Sequence, residues 1–137
     1  MDSIEDRVPF DVVVSGYAIH HLTDDRKREL YGEVFGLLRA GGVFVNIEHV
    51  KSPSGRLEKL WEEMMLDSLF AYDTERGSRR SREEVADEFL HRPDKAANIL
   101  APVEDQCGWL RELGFVDVDC YFKVLELAVF GGRKPPA

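Results

Sequence analysis

Apolar and polar positions alternate between two rhythms along this chain. After Asp11 come three consecutive valines, Val12 to Val14, in "FDVVVSGYAIHHL". An unbroken apolar run of that length suits a strand covered on both faces, as in a parallel sheet. Residues 24–39 then switch to helical spacing, with Leu30, Val34, Leu37 and Leu38 on one stripe and Tyr31 beside it. Thr23 or Asp24 can cap the start, and Asp24 and Asp25 suit the positive end of the helix dipole. Ala40, Gly41 and Gly42 are expected to end the helix, because glycine takes the left-handed conformation cheaply. "VFVNIEHV", 43–50, reads as a second strand. A strand, a helix and a strand joined by tight connections predict a right-handed parallel crossover.

Beyond Val50 the pattern changes. Residues 52–55 read as a loop, and 56–71 place Leu57, Leu60, Trp61, Met64 and Ser68 at helical spacing. A polar loop is expected over 73–81, followed by a helix opened by a Ser81–Glu84 capping box and running to about Leu90. "HRPDKAANILAP" reads as irregular chain. A further helix over 103–113 should stop at Gly114, with Phe115 closing its end. Two strands, about 116–123 and 126–133, are separated by so short a turn that they must be antiparallel. In open α/β sheets ligands lie beyond the carboxyl ends of the strands. Those ends fall at Ser15 to Ala18 and at Asn46 to His49.

Composition narrows the function classes. The chain has 137 residues, one domain's worth, and a formal net charge of −8. That charge argues against a protein built around nucleic-acid phosphates. Two cysteines, Cys107 and Cys120, give no disulfide framework and fit a reducing, cytoplasmic compartment. The longest apolar runs are too short to span a membrane. No residues stand at a metal-ligand spacing: the adjacent His20 and His21 point about 100° apart on a helical turn and make poor co-ligands.

Taken in order, "FDVVVSGYAIHHL", a helix, "LLRAGGVFVNIEHV" and finally "WLRELGFVDVDCYFKVLELAVFGGRK" resemble the second half of class I S-adenosylmethionine-dependent methyltransferases. The resemblance implies a partial Rossmann-like sheet, strands four to seven of the family, with its last hairpin antiparallel. It implies one truncated methyltransferase domain over 1–137, with 51–102 as a helical insertion or lid. The family's glycine-rich loop and its ribose-binding acid have no counterpart in these residues. The isolated chain is therefore expected to bind S-adenosylmethionine weakly or not at all.

The same resemblance places the donor against Ser15, Gly16, Tyr17 and His20, with Asp2, Ser3 and Ile4 as a remnant of the adenine-side turn. His20, Glu48 and His49 are the candidates for proton transfer or for orienting an acceptor. The plain alternative is that one histidine packs while its neighbour is solvated, and that Glu48 caps the following segment. Trp61, Tyr72 and Arg92 are the candidate acceptor-binding residues, the acceptor being a small molecule or a nucleotide. Cys107 and Cys120 read as packing residues. The alternative function is a non-catalytic, methyltransferase-like half-domain. A homodimer is expected, because the resemblance leaves Val12, Val13 and Val14 on an uncovered sheet edge.

Overall fold

The computed structural model describes residues 4–137. The expected adenine-side contacts of Asp2 and Ser3 lie outside the described residues, and Ile4 begins a short 3-10 turn, Ile4–Arg7. The described chain divides into two compact units, one formed by residues up to 51 together with 99–137, the other by 52–98.

The first unit is a four-stranded mixed sheet with two helices. Its strands are β1 (Phe10–Gly16), β2 (Leu38–His49), β3 (Val116–Val124) and β4 (Leu127–Arg133), in the spatial order β1-β2-β4-β3. β1 pairs with β2 in parallel, with Val13 opposite Phe44, across the crossover helix α1 (Asp24–Leu37). β4 lies antiparallel to both β2 and β3, so the closing hairpin inserts its second strand into the sheet. Gly131 is what lets it in: a Cβ there would come within 1.9 Å of the Phe44 carbonyl oxygen on β2.

Helix α5 (Val103–Glu112) stops where the sequence predicts, with Gly114 at φ +102 and the Phe115 amide donating to the Leu110 carbonyl. Phe115 is then buried beside Phe44, Phe130, Tyr31, Val34 and Leu110, the centre of the core. Burying each such side chain contributes about 1.5–3 kcal/mol.

Three local expectations are corrected. Helix α1 ends at Leu37, before the Ala40–Gly42 turn, and those residues already belong to the extended β2. The Lys134 ammonium donates to the Phe35 and Leu38 carbonyls at 2.9 and 2.8 Å, so a distant cation satisfies the helix end that glycine was expected to terminate. Gly42 is needed for closeness instead, since a Cβ would meet the Arg39 and Asp11 carbonyl oxygens at 2.9 and 3.1 Å. Second, the triple valine of β1 is not covered on both faces: Val12 and Val14, two positions apart, share one face of the sheet and are 55% and 61% exposed, while Val13 on the other face is half-buried. Third, "HRPDKAANILAP" is not wholly irregular, since Pro93 opens a short helix.

The second unit is helical. α2 (Gly55–Glu75) runs four residues further than its apolar spacing suggests, into the stretch read as a loop. α3 (Arg82–Leu90) starts on the expected capping box, with Ser81 Oγ accepting from the Glu84 amide and Glu84 accepting from the Ser81 amide. α4 (Pro93–Ala97) follows. Ion pairs join these helices, among them the exposed Arg82 with Asp67 at 2.8 Å and the half-buried Lys95 with Glu62 at 2.7 Å.

Candidate functional site

β2 alternates strictly. Phe44, Asn46, Glu48 and Val50 are buried on one side, and Val43, Val45, Ile47 and His49 are half-buried on the other. Towards its carboxyl end the buried side is therefore polar, an asparagine and a glutamate where a core strand would carry aliphatic residues. The chain leaving β1 turns through Tyr17, at φ +52, into a 3-10 turn, Ile19–His21. That turn drives Ile19 and His20 inward and leaves His21 exposed.

The result is a buried dyad. His20 Nδ1 donates to Glu48 Oε1 at 2.6 Å, and both side chains are shielded from water. The Glu48 carboxylate also accepts from the His49 backbone amide at 3.0 Å and from Asn46 Nδ2 at 3.4 Å. With Nδ1 committed to Glu48, the second ring nitrogen of His20, Nε2, is the one available as a proton acceptor. Burial lowers the His20 pKa below its ordinary value; Glu48 opposes that shift, and the neighbouring His21 and His49 add to it. The ring is thus biased towards the neutral form, the form a base needs.

Beside it stands a second histidine–carboxylate pair. His49 Nε2 donates to Glu126 Oε2 at 2.6 Å, and the His49 ring lies 5.8 Å from that of His20. Glu126 sits in the turn of the β3–β4 hairpin, its carbonyl accepting from the Val50 amide. Behind Glu48, Asn46 Nδ2 also reaches the Tyr31 hydroxyl at 3.3 Å, and that hydroxyl donates to Gln106 Oε1. Burial raises the Tyr31 pKa, so the phenol stays protonated.

The structure thus brings together His20, Glu48 and His49, which the sequence singles out. It adds Asn46, Tyr31, Gln106 and Glu126, which the sequence reading missed. Signals for them were present: Glu126 interrupts the apolar run "VLELAV", Asn46 falls on the inward phase of an alternating strand, and Gln106 shares a stripe with Val103, Cys107 and Leu110. The reading of Glu48 as a cap for the next segment is corrected, since its carboxylate is wholly buried and paired. Cys107 is buried, with its thiol pushed up to about 11, which suits packing and not nucleophilic attack.

At the end of β1, Ser15 is half-buried, and a Cβ on Gly16 would meet nothing within 4 Å. In the helical unit Arg92 lies over the Phe89 ring at 4.3 Å and donates to the Phe89 carbonyl at 2.6 Å. It lines a cleft of about 330 Å³ with Met65, Leu69 and Val85. Trp61 is half-buried, and Tyr72 is exposed with the Arg76 guanidinium against its ring; neither lines that cleft. Among the described residues no helix is long and apolar enough to cross a membrane.

Comparison with known proteins bears on this geometry. No protein-family model matches the chain. An uncharacterized methyltransferase of Anoxybacillus flavithermus (strain DSM 21510 / WK1) is 57% identical over 37 residues, 27% of this chain and 18% of that protein. A solved O-methyltransferase family protein from Burkholderia thailandensis superposes with a TM-score of 0.60 at 14% identity, covering 98% of this chain and 34% of that one. The S-adenosylmethionine-dependent methyltransferase SibL superposes with a TM-score of 0.56 at 14% identity, covering 93% and 32%. The chain thus resembles methyltransferases in sequence over a short stretch and in fold over nearly all its length, and spans about a third of these solved structures.

Proposed function

We propose that this chain is the acceptor-side, C-terminal portion of a class I S-adenosylmethionine-dependent methyltransferase that methylates a hydroxyl group of a small molecule, with His20 as the proton acceptor. The observation that carries the reading is the buried His20–Glu48 dyad, 2.6 Å between Nδ1 and Oε1, at the carboxyl end of the parallel strand pair. The methyltransferase likeness supports the donor, and a buried proton acceptor suits an acceptor that must lose a proton, as a hydroxyl does.

The donor, when bound, supplies a methyl group already activated for displacement. Ser15, Gly16 and Tyr17 are the residues of this chain that would lie along it, and the open space at Gly16 is what fits. The rest of the chemistry here is proton handling. His20 Nε2 takes the proton that the acceptor hydroxyl loses, and Glu48 stabilises the imidazolium that forms. The Glu48 carboxylate accepts from His20 Nδ1, the His49 amide and Asn46 Nδ2, which hold it in place beside the ring. Positioned general bases of this kind contribute about 10²–10⁴-fold. Residues 52–98 carry the candidate acceptor contact Arg92, and the apolar cleft beside it supports that reading.

The test is methyl transfer to a panel of small hydroxyl compounds by the polypeptide containing this chain, compared with its His20→Gln variant. An unchanged rate in the variant would overturn the role of His20. The 137-residue chain alone should show little or no thermal shift with S-adenosylhomocysteine. A saturable shift at micromolar concentration would show that the donor site is complete within it.

The edge of the sheet favours a second, compatible reading, in which two copies pair along β1. Val12 and Val14 are exposed beside backbone groups that no strand of the described chain covers on that side. Such edges template further strands. Light scattering at micromolar concentration should give twice 15.6 kDa, and Val14→Lys should lower it; a monomer mass in the unmodified chain overturns the dimer.

A further inference from the structure

Asn46 is wholly buried towards the carboxyl end of β2, and its Oδ1 has no hydrogen-bond partner. A buried orphan acceptor is costly, and a leucine at this place would avoid it. The orientation of the amide is nevertheless dictated from both sides. Gln106 Nε2 donates to the Ala101 carbonyl at 3.0 Å, which turns Gln106 Oε1 towards Tyr31. The Tyr31 hydroxyl donates to that oxygen, so its own oxygen can only accept from Asn46. Asn46 Nδ2 then faces both the Tyr31 oxygen and Glu48 Oε2, and Oδ1 is left over. Turning the amide over would set its oxygen against the Glu48 carboxylate.

Every hydrogen in this track thus has one direction, and the track ends on Glu48. We propose that Asn46, held by Tyr31 and Gln106, is a positioning residue: it fixes the Glu48 carboxylate and, through it, which ring nitrogen of His20 carries the proton. With Glu48 held, His20 is the Nδ1–H tautomer and Nε2 is the acceptor. This deepens the reading of His20 as a proton acceptor and rests on it for its purpose. Its physical content, a tautomer set through three side chains, can be measured without any methyl transfer.

The experiment is NMR of the 137-residue chain labelled with ¹⁵N at histidine. Long-range ¹H–¹⁵N correlations assign the His20 tautomer, and a titration gives its midpoint. The unmodified chain should show the Nδ1–H form in excess. In Asn46→Leu the tautomer ratio should fall by about threefold or more, the scale of one ordinary net hydrogen bond. The midpoint should also move down, since Glu48 is what holds it up. Tyr31→Phe, which removes a single oxygen, should move both in the same direction by less, and it is read in place of Asn46→Leu if that variant does not fold. A folded Asn46→Leu with the ratio and midpoint of the unmodified chain overturns the proposal and leaves Asn46 as packing alone. An unmodified chain already in the Nε2–H form overturns it too. Loss of the reading of His20 as the proton acceptor would appear elsewhere, as a His20→Gln variant that transfers methyl at the full rate, and would leave the tautomer result standing.

Discussion

In the sheet unit the informative polar groups lie inside: Glu48, Asn46 and Gln106 are fully buried, and His20 nearly so. In the helical unit they lie outside, as ion pairs such as Arg82–Asp67, with side chains 48% and 68% exposed. Both arrangements bring opposite charges or dipoles within hydrogen-bond reach, yet their physics differs. Inside, with water excluded, each partner is expensive to remove and the geometry is fixed by several bonds at once. Outside, water and salt screen the pair, and it contributes about 0–1 kcal/mol. The contrast teaches where to look for chemistry. Lys27 adds a further buried example, its ammonium held by Asp24 and the Ile99 carbonyl, but there the partners tie α1 to the following chain and do no more.

The largest expected effect comes from the buried side of that contrast. His20→Gln keeps the size of the side chain and removes the proton acceptor, and it should lower kcat by about 10²–10⁴-fold. Its fold, read by circular dichroism, should be intact. If rate and fold fell together, the buried polar groups would be structural and the contrast would lose its functional meaning.

Next comes packing around the same groups. Phe44→Ala opens a cavity in the core beside Tyr31, one place before Asn46 on the buried side of β2, and should cost about 3–5 kcal/mol by denaturant titration. A loss below about 1 kcal/mol would mean that the core is looser than its burial implies.

pH separates the two regions differently. Burial lowers the His20 pKa, so the unfolded chain binds a proton that the folded chain resists. Stability is therefore full above about pH 6.5 and falls as pH drops from there through the lower folded value. Glu48→Gln removes the group that holds His20 up, so the fall should extend to lower pH. Thermal melts across this range check the sign, and a stability that rises on acidification would refute it.

Much of this fold could be read from the chain because its signals are local. The Ser81–Glu84 box, the stop at Gly114 and the β3–β4 hairpin each depend on residues only a few positions apart. The helix end at Leu37 is not legible locally, because carbonyls there are satisfied by Lys134, nearly a hundred positions away. The site divides in the same way. His20 and Glu48 stood out as residue types at strand ends, but their bond spans 28 positions, and Glu48 was as easily read as a cap. Tyr31 to Gln106 spans 75, and only the packing of α5 against α1 brings them together. Local propensity carries no information about such meetings, which the tertiary fold alone decides.

On the exposed side the effects should be smaller, and those of the ion pairs should disappear in salt. Ser81→Ala removes one half of a capping box and should cost about 0.5–2 kcal/mol, measured as lost stability at constant ionic strength. Arg82→Ala is the smaller test. The guanidinium gives Asp67 two bonds, Nε at 3.1 Å and Nη2 at 2.8 Å, so its geometry is good. Both side chains are nonetheless bathed in water, and the variant should lose less than about 1 kcal/mol. At about 0.01 M salt the screening length is near 30 Å, and the full difference between the two chains should be visible. At about 1 M it is near 3 Å, comparable to the bond itself, and the difference should vanish. Melts of the two chains at both salt concentrations decide the matter. A difference that survived high salt would mean that the pair is sheltered, and that this surface carries some of the character assigned here to the sheet.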